Sequence, residues 1–220
     1  MFFADRPDAG RRLAERLEHL REDDPVVLGL PRGGVLVAEE VAAALGAPLD
    51  VLVVRKLGVP SQPELAMGAI GEGSVRVIND DVVRMVGASE AALTAVESAE
   101  RAELERRAAL YRGNRRRVDL HGRTAVVVDD GIATGATARA ACRMARAQGA
   151  ARVVLATPVA SPGWSGRMEG VADEFVCLET PGNFFGIGWS YVDFSQTPDE
   201  DVIASLDRAA ARAGRGGSRR

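Results

Sequence analysis

The chain has 220 residues, of which 46% are hydrophobic and 27% charged, and a formal net charge of −3. This composition is typical of a soluble globular domain with its own core, and the charge does not indicate a nucleic-acid or membrane partner. Two cysteines exclude a disulfide scaffold. No apolar run approaches the roughly 18 residues of a membrane span, and the start lacks a signal-peptide pattern, so we expect a cytoplasmic protein.

Apolar runs that are typical of buried strands alternate with helical patterns along the chain. The predicted strands cover residues 25–30, 49–54, 75–78, 125–128, 152–156 and 174–178. The predicted helices cover residues 8–21, 35–45, 89–111, 137–148 and 199–211. Strands rich in Val and Leu that are separated by helices predict an α/β fold, with a mainly parallel sheet flanked by helices. In such sheets, ligands bind at the carboxyl ends of the strands.

Two segments interrupt this alternation. Residues 55–74 are rich in Gly, Pro and Ser, which predicts a long loop. Ser89 is a candidate cap for the long helix that follows. We interpret residues 80–117, which contain this helix, as a helical insertion into the domain.

The two remaining features are polar. Four arginines form a basic run at residues 112–117, which is consistent with a solvated helix end, a subunit contact or a nucleic-acid contact; the first is the commonest case. Residues 214–220 carry no apolar side chain and are predicted to be a disordered tail. A single domain is therefore expected over residues 1–213.

Residues 126–138 combine a buried strand, two adjacent carboxylates, a turn of small residues and the start of a helix. Free backbone N–H groups and the positive end of a helix dipole at such a turn bind a phosphate, and Thr134 and Thr137 add hydroxyl donors. Asp129 and Asp130 would repel a phosphate, but they suit the vicinal hydroxyls of a ribose. The segment therefore predicts a site for a ribose 5′-phosphate.

This segment resembles the phosphoribosyl-pyrophosphate (PRPP) motif of type I phosphoribosyltransferases: four apolar residues, two acids and a loop that ends in Thr-Gly-x-Thr. The resemblance implies the type I fold, with a central parallel sheet, a small hood and, here, an inserted helix. It implies that Asp129 and Asp130 hold the ribose hydroxyls. The residues that it assigns to the 5′-phosphate are Ala133, Thr134, Gly135, Ala136 and Thr137.

A second turn, at residues 30–35, also follows a predicted strand and opens a helix. Gly33 and Gly34 expose backbone donors, and Arg32 supplies a bidentate cation. From its residues alone, this is either an anion site or a tight turn with a solvated arginine. It is similar to the pyrophosphate loop of the same family, in which a non-proline cis peptide bond is common; here that bond is Pro31–Arg32.

Arg55 and Lys56 follow the predicted strand 49–54 and are expected to reach the same pyrophosphate. The glycine-rich segment after them is similar in position to the flexible catalytic loop of the family, which closes over the site and excludes water. Glu64 and Glu72 in this segment are weak acid–base candidates, because most loop carboxylates are simply solvated.

Residues 179–198 hold most of the scarce aromatic side chains of the chain, and they resemble the hood of purine phosphoribosyltransferases. Flat rings beside glycines suit stacking on a planar base. We assign Phe185, Trp189 and Tyr191 to base binding, with the choice between Trp189 and Tyr191 left open. The resemblance implies that Asp193 helps to hold a metal. The alternative is a small aromatic core under a loop.

The family resemblance implies transfer of a phosphoribosyl group from PRPP to a nitrogen of a nucleobase-like acceptor, with Mg²⁺ as cofactor. The residues assigned to catalysis are Asp129, Asp130, Arg32 and Lys56. A homodimer is expected from the same resemblance, whereas a nucleic-acid partner is not.

One position departs from the family pattern. Enzymes for 6-oxopurines usually carry an Asp just before Thr-Gly, and this chain has Ala133 there. This argues against an enzyme of that type and leaves adenine or another base open. A PRPP-binding regulator with little turnover is the alternative, although no DNA-binding domain is recognisable. A PRPP synthetase would share the motif, but the chain is short for one and shows no ATP site.

Overall fold

The computed structural model describes residues 2–73 and 75–216. The strands in chain order are β1 (Pro25–Gly29), β2 (Leu49–Val51), β3 (Val54–Val59), β4 (Gln62–Gly71), β5 (Arg76–Ile78), β6 (Thr124–Val128), β7 (Arg152–Val159) and β8 (Glu174–Glu179). The helices are α1 (Arg6–Leu17), α2 (Gly33–Leu45), α3 (Asp80–Val86), α4 (Glu90–Arg112), α5 (Ala136–Ala147), α6 (Trp164–Arg167) and α7 (Asp199–Gly216).

A parallel sheet of five strands, in the order β2-β1-β6-β7-β8, forms the centre of the domain. Val126 and Val128 pack in one core cluster with residues of α1 and α2, whereas Ala125 and Val127 pack in another with residues of α5. Burial on both faces explains the continuous Val runs and confirms the predicted α/β fold. Because β1 and β6 are adjacent, the turns that follow them are neighbours.

Most of the segment 55–74 forms a β-hairpin instead of the predicted loop. β3 pairs with β4 and β4 with β5, all antiparallel, in a separate sheet. Glycines that suggested flexibility are sites of close packing: a Cβ on Gly68 would lie 2.4 Å from the carbonyl oxygen of Val77, and one on Gly71 would lie 2.6 Å from Met144 Sδ. The glycine content reflects close approach of neighbouring elements, which composition alone does not distinguish from mobility.

The inserted helix α4 packs along its length on the domain. Ser89 caps it as predicted, with its Oγ accepting a hydrogen bond from Ala92 N at 3.2 Å. Leu93, Leu104 and Tyr111 are buried in a core shared with the hairpin and α7. The insertion is therefore an integral part of the domain.

Arg112, at the end of α4, joins the insertion to β2 and to the residue after β4. Its Nη1 donates to Asp50 Oδ1 at 2.8 Å, and its Nε donates to Glu72 Oε2 at 2.7 Å. The three side chains are only 10–14% exposed. The arrangement makes Arg112 a buried bridge, a role that its place in a basic run did not indicate.

Other arginines of the basic run also contact the domain. Arg115 pairs with Asp207 of α7, and Arg117 Nη1 donates to the carbonyl oxygen of Glu72 at 3.0 Å. These contacts anchor the end of α4. Because the Glu72 carboxylate is paired with Arg112, it is unsuited to acid–base work; the side chain of Glu64 lies outside the described residues.

Replacing Arg112 by alanine is expected to lower the free energy of unfolding by about 3 kcal/mol, because it leaves two buried carboxylates without their cation. Urea denaturation measures this. Arg106→Ala is the matched control on the same helix: the Arg106 side chain is 59% exposed, so no measurable change is expected. Equal denaturation midpoints for Arg112→Ala and the native chain would contradict the proposed bridge.

The ends of the domain differ from the predicted boundaries. α1 begins at Arg6, because Asp5 Oδ1 accepts a hydrogen bond from Asp8 N at 2.7 Å and caps the helix. α7 includes residues 214–216 of the predicted disordered tail, so the helix continues beyond the boundary predicted at residue 211. Residues 217–220 lie outside the described residues. Among the helices that are described, none is both long and apolar enough to cross a membrane.

Candidate active site

Asp129 and Asp130 lie directly after β6, at the carboxyl edge of the central sheet. Asp129 Oδ1 accepts a hydrogen bond from Asp130 N at 2.9 Å. Asp130 Oδ2 accepts one from Arg6 Nε at 2.7 Å, and Tyr191 Oη donates to the Asp130 carbonyl oxygen at 2.6 Å. The Asp130 side chain is 15% exposed. The acid pair is thus held in place by contacts from three parts of the chain.

Both carboxyl groups are electrostatically strained in the folded protein. Burial raises the pKa of Asp129 well above its ordinary value, and the negative charge of Asp130 raises it further. Burial also raises the pKa of Asp130, although the hydrogen bond and positive charge of Arg6 oppose this. Developing positive charge on a bound sugar would stabilise such a crowded pair of carboxylates.

The turn after the acid pair forms a cavity of about 230 Å³ that is lined by residues 129–138 and Ile187. All five residues that the sequence assigns to the 5′-phosphate are in this lining. Gly135 adopts a left-handed conformation with φ +79°, and a Cβ there would lie 1.9 Å from Met168 Cε. Exposed threonine hydroxyls and the first N–H groups of α5 therefore share one cavity, which is chemically suited to a phosphate.

The turn after β1 packs directly against the acid pair. Its Pro31–Arg32 peptide bond is cis, as the family resemblance implies. A Cβ on Gly33 would lie 1.9 Å from Asp130 Oδ2, and one on Gly34 would lie 2.9 Å from Asp129 Cα. Neither position has room for a side chain. The two turns predicted from sequence are therefore brought into direct contact.

A second cavity, of about 580 Å³, adjoins both turns and extends to the hairpin and α4. Pro31 and Thr137 line it beside the turns, and Arg55 and Lys56 line it from β3. These two cations lie on a strand and not at the start of a mobile loop. From α4 the lining residues are Val96, Ala99, Glu100 and Arg107. Sequence analysis did not predict that the insertion would contribute to the site.

The hood contains two kinds of aromatic side chain. The Tyr191 ring is 6% exposed and packs against Phe3 and Phe194, with ring centroids 5.3 and 4.9 Å away. Its role is structural, which corrects its assignment to base stacking. Phe185 and Trp189 are 75% and 70% exposed, and their ring centroids are 5.7 Å apart. These two rings can present their faces to a ligand.

The N-terminal segment holds the hood against the acid pair. Phe3 N donates to the Ser190 carbonyl oxygen, and Val192 N donates to the Phe3 carbonyl oxygen, both at 2.8 Å. Arg6 Nη1 donates to the Ser195 carbonyl oxygen at 2.8 Å while its Nε contacts the acid pair. Arg6 was not predicted as part of the site, because a lone arginine in the first turn of a helix carries no signal of a contact more than a hundred residues away.

The acidic side chains are suited to a metal ion that is coordinated jointly by protein and ligand. They are less suited to a metal ion that is coordinated by side chains alone. Asp193 is exposed, and hydrogen bonds from Ser195 lower its pKa. Within residues 2–73 and 75–216, no group of three or more His, Cys, Asp or Glu side chains is arranged to hold a metal ion. Mg²⁺ commonly takes one or two carboxylates together with water and substrate phosphates. Asp129 and Asp130 suit that kind of shared coordination, whereas Asp193 lines a separate cavity together with Asp5, Arg6 and Asp201.

A parallel sheet with an acid pair, a phosphate turn and a glycine turn at its carboxyl edge defines a domain that is suited to a phosphorylated ribose. The profile of the phosphoribosyl transferase domain matches residues 6–194. The chain belongs to this family, and its five-stranded parallel sheet flanked by helices is the α/β architecture that the sequence predicted.

Two relatives show how far the similarity extends. A Mycobacterium tuberculosis H37Rv protein with a provisional name as a phosphoribosyl transferase is 61% identical over 207 residues, which are 94% of this chain and 47% of the relative. The chain thus spans about half the length of the curated relatives it matches. The crystal structure of TT1426 from Thermus thermophilus is 47% identical, with a TM-score of 0.88 over 94% of this chain and 98% of that one.

Proposed function

We propose that this domain transfers the 5-phosphoribosyl group of PRPP to a nitrogen of a nucleobase-like acceptor and releases pyrophosphate. The observation that carries the proposal is the contact between the acid pair and the two turns. Gly33 and Gly34 approach Asp130 and Asp129 so closely that the sites for the 5′-phosphate, the ribose and the diphosphate would adjoin in that order, with the acid pair in the middle. This order of groups is the order in which they are joined in PRPP.

In the proposed reaction, the bond between C1 of the ribose and the pyrophosphate oxygen breaks, and both electrons leave with pyrophosphate. The acceptor nitrogen forms the new bond to C1 and gives its proton to solvent or to a nearby base. Asp129 and Asp130 accept hydrogen bonds from the ribose hydroxyls and stabilise the positive charge that develops on the sugar. Arg32, Arg55 and Lys56 offset the charge of the leaving group.

Mg²⁺, when bound with the donor, would supply positive charge that offsets the negative charge of the diphosphate. Asp193 and the acid pair are the carboxylates that we propose to contribute to its coordination. The Asp193 carboxylate is suited to this because hydrogen bonding favours its ionised form.

The acceptor is the less defined of the two substrates. Ala133 is exposed at the phosphate turn and offers no carboxylate to a base, so we propose an acceptor that does not need an acid at that position. The exposed rings of Phe185 and Trp189 support a planar acceptor.

Trp189→Ala is expected to raise KM for the acceptor about tenfold, because stacking on one base contributes roughly 1–3 kcal/mol. KM for PRPP and thermal stability should remain close to those of the native chain, since the ring is 70% exposed. Steady-state kinetics with each substrate varied in turn measure the effect. Phe2→Ala is the control, because Phe2 is similarly exposed, at 67%, outside the hood. An unchanged KM for the acceptor would show that Trp189 does not contribute to acceptor binding.

The proposed function is tested by pyrophosphate release from PRPP with Mg²⁺, measured separately with adenine, hypoxanthine, guanine, xanthine, uracil and orotate. Release that depends on one base would establish the transferase and name the acceptor. PRPP binding without release would support a PRPP-binding regulator, the alternative that the same site allows. Failure to bind PRPP would overturn both.

A further inference from the structure

The cavity beside the hairpin has a charge arrangement that the family motifs do not account for. Its lining includes the cations of Arg55, Lys56 and Arg107, and the carboxylate of Glu100. Glu100 and Arg107 come from the inserted helix α4. Arg107 is also paired with Glu103 of α4, at 2.6 Å, which offsets part of this charge. The cations that face the cavity favour an anionic ligand, and the carboxylate of Glu100 opposes one.

Arg55 and Glu100 form an ion pair in this cavity. Arg55 Nε donates to Glu100 Oε2 at 2.6 Å, and Arg55 Nη2 lies 2.5 Å from the same oxygen. Each side chain is 28% exposed, so solvent screens the pair, and pairs of this kind usually contribute little to stability. Exchange of Glu100 for a stronger anion therefore needs little energy.

The turn after β1 and the inserted helix α4 line the same cavity. Pro31 of the turn lies in its lining together with Glu100 and Arg107 of α4. The insertion and the turn that we assign to pyrophosphate therefore face one cavity.

We propose that Glu100 is an internal counter-ion for Arg55 that a bound diphosphate group displaces, so that α4 sets the affinity of the site for its polyanionic ligand. This inference rests on the proposed function, in which Arg55 and Lys56 offset the charge of the diphosphate; both residues line this cavity. Two diphosphate oxygens can accept parallel hydrogen bonds from the guanidinium of Arg55. Because Tyr111 and Arg112 anchor α4, the exchange is a rearrangement of side chains and not a movement of the helix.

Glu100→Gln tests this proposal by removing the charge while keeping an oxygen that accepts a hydrogen bond from Arg55. We expect the Kd of inorganic pyrophosphate with Mg²⁺ to fall roughly threefold to tenfold, because an opposing charge has left the cavity. Isothermal titration calorimetry at low ionic strength measures it. Glu105→Gln is the matched control: Glu105 is an exposed carboxylate of α4 outside the cavity lining, and its loss should leave Kd within about twofold.

The sign of the effect decides the proposal. Unchanged or weaker pyrophosphate binding by Glu100→Gln, in a variant whose Tm matches the native chain, would show that Glu100 positions Arg55 and would overturn it. In an Arg55→Ala background, the gain from Glu100→Gln should shrink, because the pair no longer exists. If the native chain binds PRPP but Glu100→Gln binds pyrophosphate with the native Kd, this inference fails and the proposed function stands. If the native chain binds neither PRPP nor pyrophosphate, both fail.

Discussion

Replacing Asp129 and Asp130 together by asparagine is expected to lower kcat/KM for PRPP by roughly 10³-fold or more, the scale of loss for preorganised groups that stabilise transition-state charge. The asparagines keep the shape of the acid pair and can still accept hydrogen bonds. They cannot balance positive charge on the ribose. Pyrophosphate release with the acceptor that the base panel identifies measures the effect.

The single substitution Asp129→Asn separates catalysis from stability. The raised pKa of Asp129 means that folding favours its protonated form, so its contribution to stability is complete at pH values below its ordinary pKa of 3.8 and is lost as the pH rises through the raised pKa. At neutral pH Asp129 therefore lowers the stability of the fold relative to an uncharged side chain of the same shape. Asp129→Asn should have a higher Tm than the native chain at pH 7, and the difference should shrink toward pH 4. A lower Tm at pH 7 would contradict this view of the acid pair.

Gly33→Ala is expected to reduce kcat/KM about 100-fold or more, because displacements of about 1 Å at a reacting centre have effects of that size. A Cβ at this position would lie 1.9 Å from Asp130 Oδ2 and 2.4 Å from Arg6 Nε. Either the acid or the arginine has to move, and their 2.7 Å contact is lost. The stability cost should be modest, about 1–3 kcal/mol, since alanine favours the helix that starts there.

Gly166→Ala is the matched control for this substitution. Gly166 also lies in a helix, and an added Cβ there would contact nothing within 4 Å. Activity should be unchanged, and stability should be equal or slightly higher. If Gly33→Ala retained native kcat/KM, the close approach of the two turns would not be required for the reaction.

The fold and the position of the site followed from local patterns in the sequence. The Val-rich run that ends in two acids predicted both a strand and its chemistry, because strand, turn and helix start are adjacent in the chain. The Pro31–Arg32 turn was predicted for the same reason. The hairpin at residues 54–71 was not predicted, because its glycines suggested a mobile loop. In the structure they are needed for close approach to a carbonyl group and to a methionine, which no local pattern shows.

The features that were missed depend on contacts between distant segments. Arg6 reaches Asp130 across the domain, and Glu100 reaches Arg55 from the insertion. Tyr191 was assigned to stacking because it stands among other aromatic residues, yet its neighbours Phe3 and Phe194 bury it. No periodicity or spacing records such tertiary contacts, so the side chains that tune a site are harder to predict than those that form its backbone turns.

The pairing of Phe3 with the hood has a consequence for how the protein is made. Phe3 bonds to Ser190 and Val192, and Arg6 bonds to Ser195, so the site is completed by two segments that the ribosome makes at well-separated times. At typical elongation rates, the earlier segment waits roughly 10–40 seconds for its partner. During that time the Phe3 ring lacks the hood residues that bury it and is available to chaperones. We expect the proposed PRPP binding to appear only after the hood has left the exit tunnel.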